Sequence, residues 1–371
     1  MSEYILNLLP VTEAEKAEFE AIAPDAVHVY AGRRTLTSEQ IAQATVILGW
    51  PRPKDIRGAA RLKWFQTMWA GTDEYEGEGI LPSGVIFTSS SGSNRQSVAE
   101  HILSFTLALC RRLPTYRDAQ RDHRWEDHGA MKTIFGANVL VVGAGNIGAT
   151  YAAMCRGLGA HTIGLKRTVN GPIAGFDEVF SIDHLDDLLP QVDVVVLVLP
   201  HSAQTVGRMD EGRLSLMKED AILISSGRGS VLDQEALART MKGGRLWGAA
   251  LDVTEPEPLP ADSPLWDIPN LIITPHVAGG MRLELTRRVC IQMAQDNLRR
   301  YLAGEPLKNI EKGPNSQELG PFSILHKSPD QTRSGPGPQY PANRRTYPPT
   351  PPRLNTRSGT EYLGEGEGCP Q

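Results

Sequence analysis

Cysteine is scarce in this chain: four in 371 residues, Cys110, Cys155, Cys290 and Cys369, widely separated and with no C-x-x-C pair. Neither a zinc site nor a disulfide framework follows from that spacing, and no metal is expected. Long apolar runs are also missing. The richest, Val192–Leu199, is short and carries Asp193, well under the ~20 residues of a membrane-spanning helix. The opening M-S-E-Y-I-L-N-L-L-P has no basic stretch before an apolar core, so no secretory leader is expected. Positive charge is not in excess. Net charge is −5 and the charges are interspersed, which gives no reason to expect nucleic acid as a partner. A soluble protein in a reducing, cytoplasmic setting, with no membrane partner, is the expectation.

What the chain does have is a glycine turn in an informative place. Ala137–Gly148 reads A-N-V-L-V-V-G-A-G-N-I-G, an apolar β-type run that breaks into Gly143, Gly145 and Gly148. A helical pattern follows from Ile147 to about Leu158. Strand, G-x-G-x-x-G and helix in that order suit dinucleotide binding: one glycine for the tight turn, one for backbone approach to the pyrophosphate, one for helix–strand packing. The pyrophosphate would face free N–H groups at the positive helix end.

A second absence refines the cofactor. His161–Leu165 looks like the next strand, and an acid about 20 residues past the glycines would bind the ribose 2′-hydroxyl of NAD. Lys166, Arg167 and Thr168 stand there instead. An acid would repel a 2′-phosphate, whereas an arginine fork holds one with two charge-assisted hydrogen bonds. NADP(H) is therefore the preferred cofactor, with NAD(H) kept as the second.

Residues 1–104 alternate short β-like runs (Tyr4–Leu9, Ala26–Tyr30, Val46–Leu48, Trp64–Met68, Val85–Thr88) with helical ones such as Glu13–Ile22 and Ser38–Ala44. That reads as a small α/β unit. Val98–Arg112 reads as a largely buried linking helix. A second α/β unit runs from about Gly136 to Thr274, with later strands at Val192–Leu199, Ala221–Ser225, Leu246–Asp252 and Leu271–Thr274. Their near-continuous apolar character implies a parallel sheet covered on both faces. A helix over about Met281–Ala303 would return to the first unit. The expected fold class is therefore α/β, with two Rossmann-like or flavodoxin-like domains and a cleft between them. Residues 1–104 with 281–312 would form a substrate domain and 105–280 a dinucleotide-binding domain. Residues 313–371 hold eleven of the 27 prolines and read as a disordered, Pro-rich tail.

Three polar residues follow the later strands, where an open α/β sheet binds its ligand. They are Arg228 in S-S-G-R-G, Glu257 in D-V-T-E-P-E-P-L-P and His276 in T-P-H-V-A-G-G. Hydride transfer to a ketone leaves negative charge on oxygen, so an acid must deliver a proton. Imidazolium suits that task, with an ordinary pKa of about 6.5. A carboxylate beside it favours the charged ring and fixes its orientation, and an arginine can hold a substrate carboxylate bidentately. Such a set beside a nicotinamide spells reduction of a 2-keto acid.

The segments V-G-A-G-N-I-G, S-S-G-R-G-S-V-L-D-Q-E-A-L, G-A-A-L-D-V-T-E-P-E-P-L-P and T-P-H-V-A-G resemble the D-isomer-specific 2-hydroxyacid dehydrogenases, over roughly residues 1–312. The resemblance implies Arg228, Glu257 and His276 as the catalytic set, His276 as proton donor, and Asp252 near the nicotinamide carboxamide. Asn146, Ile147 and Pro200 join the glycines and the basic turn as cofactor-binding positions. W-A-G-T-D resembles the family's substrate loop, so Ala70, Gly71 and Thr72 would receive the substrate carboxylate on backbone N–H groups; Trp50 and Trp69 could narrow the pocket or be core. Glu255 does not fit the catalytic position, because the family's glutamate immediately precedes Pro-Leu. The resemblance also implies a homodimer. The basic run at Lys166–Thr168 is similar to that of glyoxylate and hydroxypyruvate reductases. The tail does not resemble a phosphoglycerate dehydrogenase regulatory domain, and the glutamine of formate dehydrogenases is absent at Glu257. The expected activity is NADPH-dependent reduction of small 2-keto acids to (R)-2-hydroxy acids. The alternatives are an NAD-dependent D-2-hydroxyacid or phosphoglycerate dehydrogenase, and a non-catalytic, corepressor-like dinucleotide sensor.

The basic turn yields the first test. Arg167→Asp should reverse or abolish any preference for NADPH over NADH, read as the ratio of kcat/KM for the two cofactors. An unchanged ratio would remove Arg167 from cofactor selection.

Overall fold

The computed structural model describes residues 2–311. The proline-rich segment and Cys369 lie outside them. The described residues belong to one compact unit, which contains two parallel sheets. Strands β1 (Tyr4–Asn7), β2 (Val27–Tyr30), β3 (Val46–Gly49), β4 (Trp64–Thr67) and β5 (Ile86–Thr88) form a five-stranded sheet in the order β2-β1-β3-β4-β5. Strands β6 (Asn138–Val142), β7 (His161–Lys166), β8 (Glu178–Ser181), β9 (Val194–Leu197), β10 (Ile222–Ser225), β11 (Gly248–Leu251) and β12 (Leu271–Ile273) form a seven-stranded sheet. Its order is β12-β11-β10-β9-β6-β7-β8. The first order is flavodoxin-like and the second is that of a Rossmann sheet with an added edge strand. This is the α/β architecture expected from the sequence.

Local chemistry explains the elements. Thr12 with Glu15 and Thr37 with Gln40 form reciprocal capping boxes that start the helices Glu13–Ile22 and Ser38–Gln43. Asp210 and Asp233 cap the helices Glu211–Leu216 and Gln234–Lys242 by accepting from the N–H groups of Arg213 and Ala236. The central strands β9 and β10 are buried along their whole length, because helices cover both faces of the sheet.

Some expected boundaries move. The first strand stops at Asn7 rather than Leu9, and the linking helix starts at Arg95, three residues before the apolar run. The last helix begins at Glu284 instead of Met281. Among the elements not expected are the edge strand β8 and the helices Leu113–Arg121, Leu185–Leu188, Glu211–Leu216 and Gln234–Lys242.

The helix Arg95–Cys110 packs through Val98, Ile102, Phe105 and Leu109 into the core that also holds Val139, Val141, Ile222 and Ile224 of the seven-stranded sheet. The helix Glu284–Ala303 returns to the five-stranded sheet, placing Cys290, Ile291, Ala294 and Leu298 among Ile5, Phe19, Val46 and Trp64. Polar contacts fix that return. Ser97 Oγ and Thr286 Oγ1 lie 2.8 Å apart, joining the two long helices. Arg287 donates to Glu15 at 2.7 Å, and that hydrogen bond holds the Glu15 carboxyl below its usual range. Asn297 donates to Gln66 Oε1 at 2.9 Å.

Leu298 is fully buried where the returning helix meets the first sheet. Leu298→Ala should therefore cost about 2–5 kcal/mol, measured as a lower urea midpoint. A midpoint within error of the parent chain would contradict the placement of this helix.

Candidate active site

In the seven-stranded sheet the chain runs outward from β6 through β7 and β8, then restarts on the other side at β9. The strand order reverses at β6, and ligands bind at the carboxyl ends of strands at such a point. The glycine turn stands there. Gly143 has φ +117°, and a Cβ on it would meet Val198 O at 2.7 Å. A Cβ on Gly148 would collide with Gly143 O and lie 2.8 Å from Val141 Cγ1, so helix and strand approach closely. A Cβ on Gly145 would meet nothing within 4 Å. Gly145 is the N-cap of the helix Asn146–Gly157, and no side chain caps it. Its first-turn N–H groups, those of Asn146, Ile147 and Gly148, have no intrahelical acceptor. These residues fit a dinucleotide pyrophosphate.

Lys166 ends β7 and is exposed, as are Arg167 and Thr168 after it. The carbonyl of Leu165 accepts from the N–H groups of Gly143 and Ala144, at 3.1 and 2.8 Å. The basic turn therefore starts beside the glycine turn. Arg167 Nη1 donates to Gln204 Oε1 at 3.2 Å, a contact that joins the basic turn to the loop after β9. Pro200 lies in that loop, exposed, with its carbonyl accepting from Thr205 Oγ1 at 2.6 Å.

A cleft of about 390 Å³ is lined by Asp73, His201, Arg228, Glu255, Glu257 and His276, with Gly229, Ser230 and Thr254 completing its wall. The three candidate residues reach it from three loops. Arg228 follows β10, Glu257 follows β11 and His276 follows β12. His276 Nδ1 lies 2.9 Å from Glu257 Oε2. The carboxylate can only accept, so Nδ1 carries the proton. Glu257 Oε1 accepts from the N–H of Thr254 at 3.1 Å, which fixes the carboxylate in turn. Arg228 donates to Asp73 Oδ2 from Nη2 at 2.8 Å and from Nε at 3.2 Å. Its Nη1 donates to Gly227 O at 3.1 Å.

Asp252 is 2 % exposed and anchors the loop that carries His276. Its Oδ1 accepts from Thr274 Oγ1 at 2.6 Å and from Val277 N at 2.9 Å, and its Oδ2 accepts from Ala278 N at 3.1 Å. Its backbone carbonyl accepts from His276 N at 2.8 Å. His276 itself has φ +50°, a left-handed conformation that costs energy for a branched-chain-free but non-glycine residue unless neighbours enforce it. His101 Nε2 lies 3.1 Å from Thr274 Oγ1, extending the network into the long helix Arg95–Cys110.

The loop after β4 reaches the cleft from the other sheet. Ala70, Gly71 and Thr72 are partly buried in it, and Asp73 opens the short turn that follows. A Cβ on Gly71 would collide with Arg228 Nη2. Trp50 and Trp69 meet edge to face at 5.5 Å. Trp50 also carries the Arg33 guanidinium on its ring face at 3.4 Å and donates Nε1–H to Glu74 Oε2 at 2.9 Å. Both are partly buried beside the loop after β4, and Trp50 packs against the core on one face of the five-stranded sheet.

Sequence reasoning missed Asp73, His201 and Gln204. Asp73 stood inside the quoted W-A-G-T-D segment, but its link to Arg228 spans 155 residues, and no local pattern announces it. His201 Nδ1 lies 2.8 Å from Ser230 Oγ, again a contact between separate loops. Cysteine chemistry has no place in the site. Burial pushes the Cys155 thiol up to about 12 and the Cys290 thiol up to about 11, and raises Cys110 as well, so these thiols stay protonated and inert. Among the described residues, no group of three His, Cys, Asp or Glu side chains is arranged to hold a metal ion. No helix among them is long and apolar enough to cross a membrane.

Residues 103–278 match the family model "D-isomer specific 2-hydroxyacid dehydrogenase, NAD binding domain". A D-3-phosphoglycerate dehydrogenase of Mycobacterium tuberculosis is 31% identical over 274 residues, covering 73% of this chain and 51% of that protein. The chain thus spans about half the length of that relative. Glyoxylate/hydroxypyruvate reductase B of Pectobacterium carotovorum is 31% identical over 261 residues, 68% of this chain and 80% of that one. Among solved structures, a family protein from Aeromonas salmonicida superposes with TM-score 0.75 at 30% identity, covering 84% of this chain and 99% of that one. Another from Xanthobacter autotrophicus, solved with NADPH and MES, gives TM-score 0.71 at 29% identity, covering 84% and 98%. The chain belongs to the D-isomer specific 2-hydroxyacid dehydrogenase family, a family of NAD(P)-dependent oxidoreductases.

The close approach of Gly71 to Arg228 gives a test. Gly71→Ala should push the guanidinium aside and raise any keto acid KM by about tenfold, the scale of one lost charge-assisted hydrogen bond, with Tm nearly unchanged. A KM equal to that of the parent would show that the arginine has no fixed place beside this loop.

Proposed function

We propose that this protein reduces small 2-keto acids, such as glyoxylate or hydroxypyruvate, to 2-hydroxy acids, of (R) configuration where the product carbon is chiral, with NADPH in preference to NADH. One observation carries the reading: a hydrogen-bonded His276–Glu257 pair and the Arg228 fork line a single cleft. The glycine turn stands at the carboxyl-end rim of the same sheet. In this reading residues 1–104 with 281–312 act as the substrate domain and 105–280 as the nucleotide domain.

A nicotinamide dinucleotide held at the glycine turn would supply the hydride. Arg228 binds the substrate carboxylate through its guanidinium and polarises the neighbouring carbonyl, aided by the backbone N–H groups of Ala70, Gly71 and Thr72. His276, protonated on both nitrogens, holds its Nε2 proton toward the carbonyl oxygen and releases it as charge develops there. Glu257 accepts from Nδ1 at 2.9 Å, which leaves Nε2 facing the substrate and stops the ring from turning. Asp252 keeps the His276 loop in place and, at the same rim, stands as a candidate for the nicotinamide carboxamide. Gly143, Gly145, Asn146, Ile147, Gly148 and Pro200 would surround the dinucleotide.

The basic turn supports NADPH. Lys166, Arg167 and Thr168 are exposed where an NAD-selective acid would stand, and the Xanthobacter relative is solved with NADPH. A cytoplasmic setting, with its reduced NADPH pool, would favour the reductive direction. The match to phosphoglycerate dehydrogenases favours a second reading, NAD-dependent oxidation of a phosphorylated 2-hydroxy acid. A homodimer is the assembly we infer. Trp125 is fully exposed, and Leu113, Met131 and Phe135 are exposed in the same stretch of chain, apolar surface of the kind that protein partners cover.

His276→Ala should lower kcat for glyoxylate by about 10²–10⁴-fold, the range of a lost general acid, while NADPH still binds in a fluorescence titration. Undiminished kcat would remove His276 from proton transfer and sink the proposed mechanism.

A further inference from the structure

The arginine that would take the substrate carboxylate already holds one. Asp73 Oδ2 accepts from both Nη2 and Nε of Arg228, at 2.8 and 3.2 Å. Those two nitrogens form one edge of the guanidinium, the kind of edge that grips a carboxylate bidentately. The third nitrogen, Nη1, is tied to Gly227 O at 3.1 Å. Losing Asp73 would therefore free the gripping edge without releasing the arginine from its own backbone.

Asp73 is held where it can act. It follows the Ala70–Thr72 loop directly. Two residues on, Tyr75 is 2 % exposed, donates its hydroxyl to Pro51 O at 2.6 Å and packs on Phe65 and Phe87. The backbone of the turn is thus anchored in the core while the Asp73 side chain stays open. The ion pair is partly solvated, with side-chain exposures of 47 % for Asp73 and 32 % for Arg228, so it is weak enough to exchange. The cleft also holds two further acids, Glu255 and Glu257, against Arg228, His201 and His276.

Resting on the reading of Arg228 as the substrate clamp, we propose that Asp73 is an internal competitor for that clamp. Its carboxylate occupies the Nε–Nη2 edge until a keto acid carboxylate displaces it. It then remains beside the substrate and disfavours a second negative charge in the cleft. Asp73 is thus a positioning and specificity residue: it keeps Arg228 oriented in the empty enzyme, raises the substrate concentration needed, and selects monocarboxylic over dicarboxylic keto acids by like-charge repulsion.

The test uses the full chain with NADPH and compares Asp73→Asn, Asp73→Ser and Asp73→Glu. Loss of the charge should lower the KM for glyoxylate by about two- to fivefold, the scale of one exposed ion pair, with kcat moving by a smaller factor. Asp73→Glu should return KM toward the parent value. In both uncharged variants kcat/KM for oxaloacetate should rise relative to glyoxylate. A KM that rises or stays constant in both uncharged variants would overturn the competitor role. Arg228→Ala separates the two claims. If it raises the glyoxylate KM at least tenfold while the Asp73 variants fail to lower it, only the present inference falls. If it leaves KM untouched, the clamp reading falls, and the competitor with it.

Discussion

One buried carboxylate organises the rim that carries His276. Asp252 directly follows β11 with almost no contact with water, and a charge so placed must be fully hydrogen-bonded. It finds its partners in the neighbouring loop: the Thr274 hydroxyl and the N–H groups of Val277 and Ala278. Satisfying that charge bends the chain around it and holds His276 in a left-handed conformation that an unsupported loop would abandon. The imidazole is then presented to the cleft, within reach of Glu257 on the loop after β11. The position of the candidate proton donor is thus a consequence of how a buried acid in the neighbouring loop is neutralised.

The rest of the site follows from sheet topology. Parallel strands deliver all their following loops to one edge, so Arg228, Glu257 and His276 meet although they lie far apart in sequence. The glycine turn after β6 shares that edge, beside the point where strand order reverses. The five-stranded sheet contributes through the loop after β4, which brings Gly71 and Asp73 against Arg228. Charges of both signs line the cleft. In the proposed reading such a surface holds one carboxylate and one polarised oxygen. Family membership supplies the reaction type for this geometry, while substrate and cofactor preference depend on a handful of exposed side chains.

Much of this was legible in the sequence because the signals are local. A strand, three glycines and a helix are contiguous, so the dinucleotide turn could be read directly. Apolar runs marked nearly every buried strand, and Arg228, Glu257 and His276 could be selected because each follows one of those runs. What escaped was either weakly patterned or long-range. The strand β8 lies at a sheet edge, where half-exposed residues leave no apolar period. The helix Gln234–Lys242 is amphipathic, but it buries only Ala236, Leu237 and Ala238 behind its Asp233 cap, a short apolar set. The pairing of Asp73 with Arg228 depends on two loops from different sheets, and the contact of Arg167 with Gln204 on two loops of one sheet. No spacing rule connects such positions; only the folded chain does.

The most direct measurement is the oxidation of NADPH and of NADH, followed by loss of reduced-nicotinamide absorbance, against glyoxylate, hydroxypyruvate, pyruvate and 3-phosphohydroxypyruvate. The account predicts turnover of the small unphosphorylated keto acids, faster with NADPH. Turnover confined to the phosphorylated acid with NADH would contradict the substrate and cofactor assignments. Tight NADPH binding with no turnover of any keto acid would contradict the catalytic reading itself and leave a dinucleotide sensor in its place.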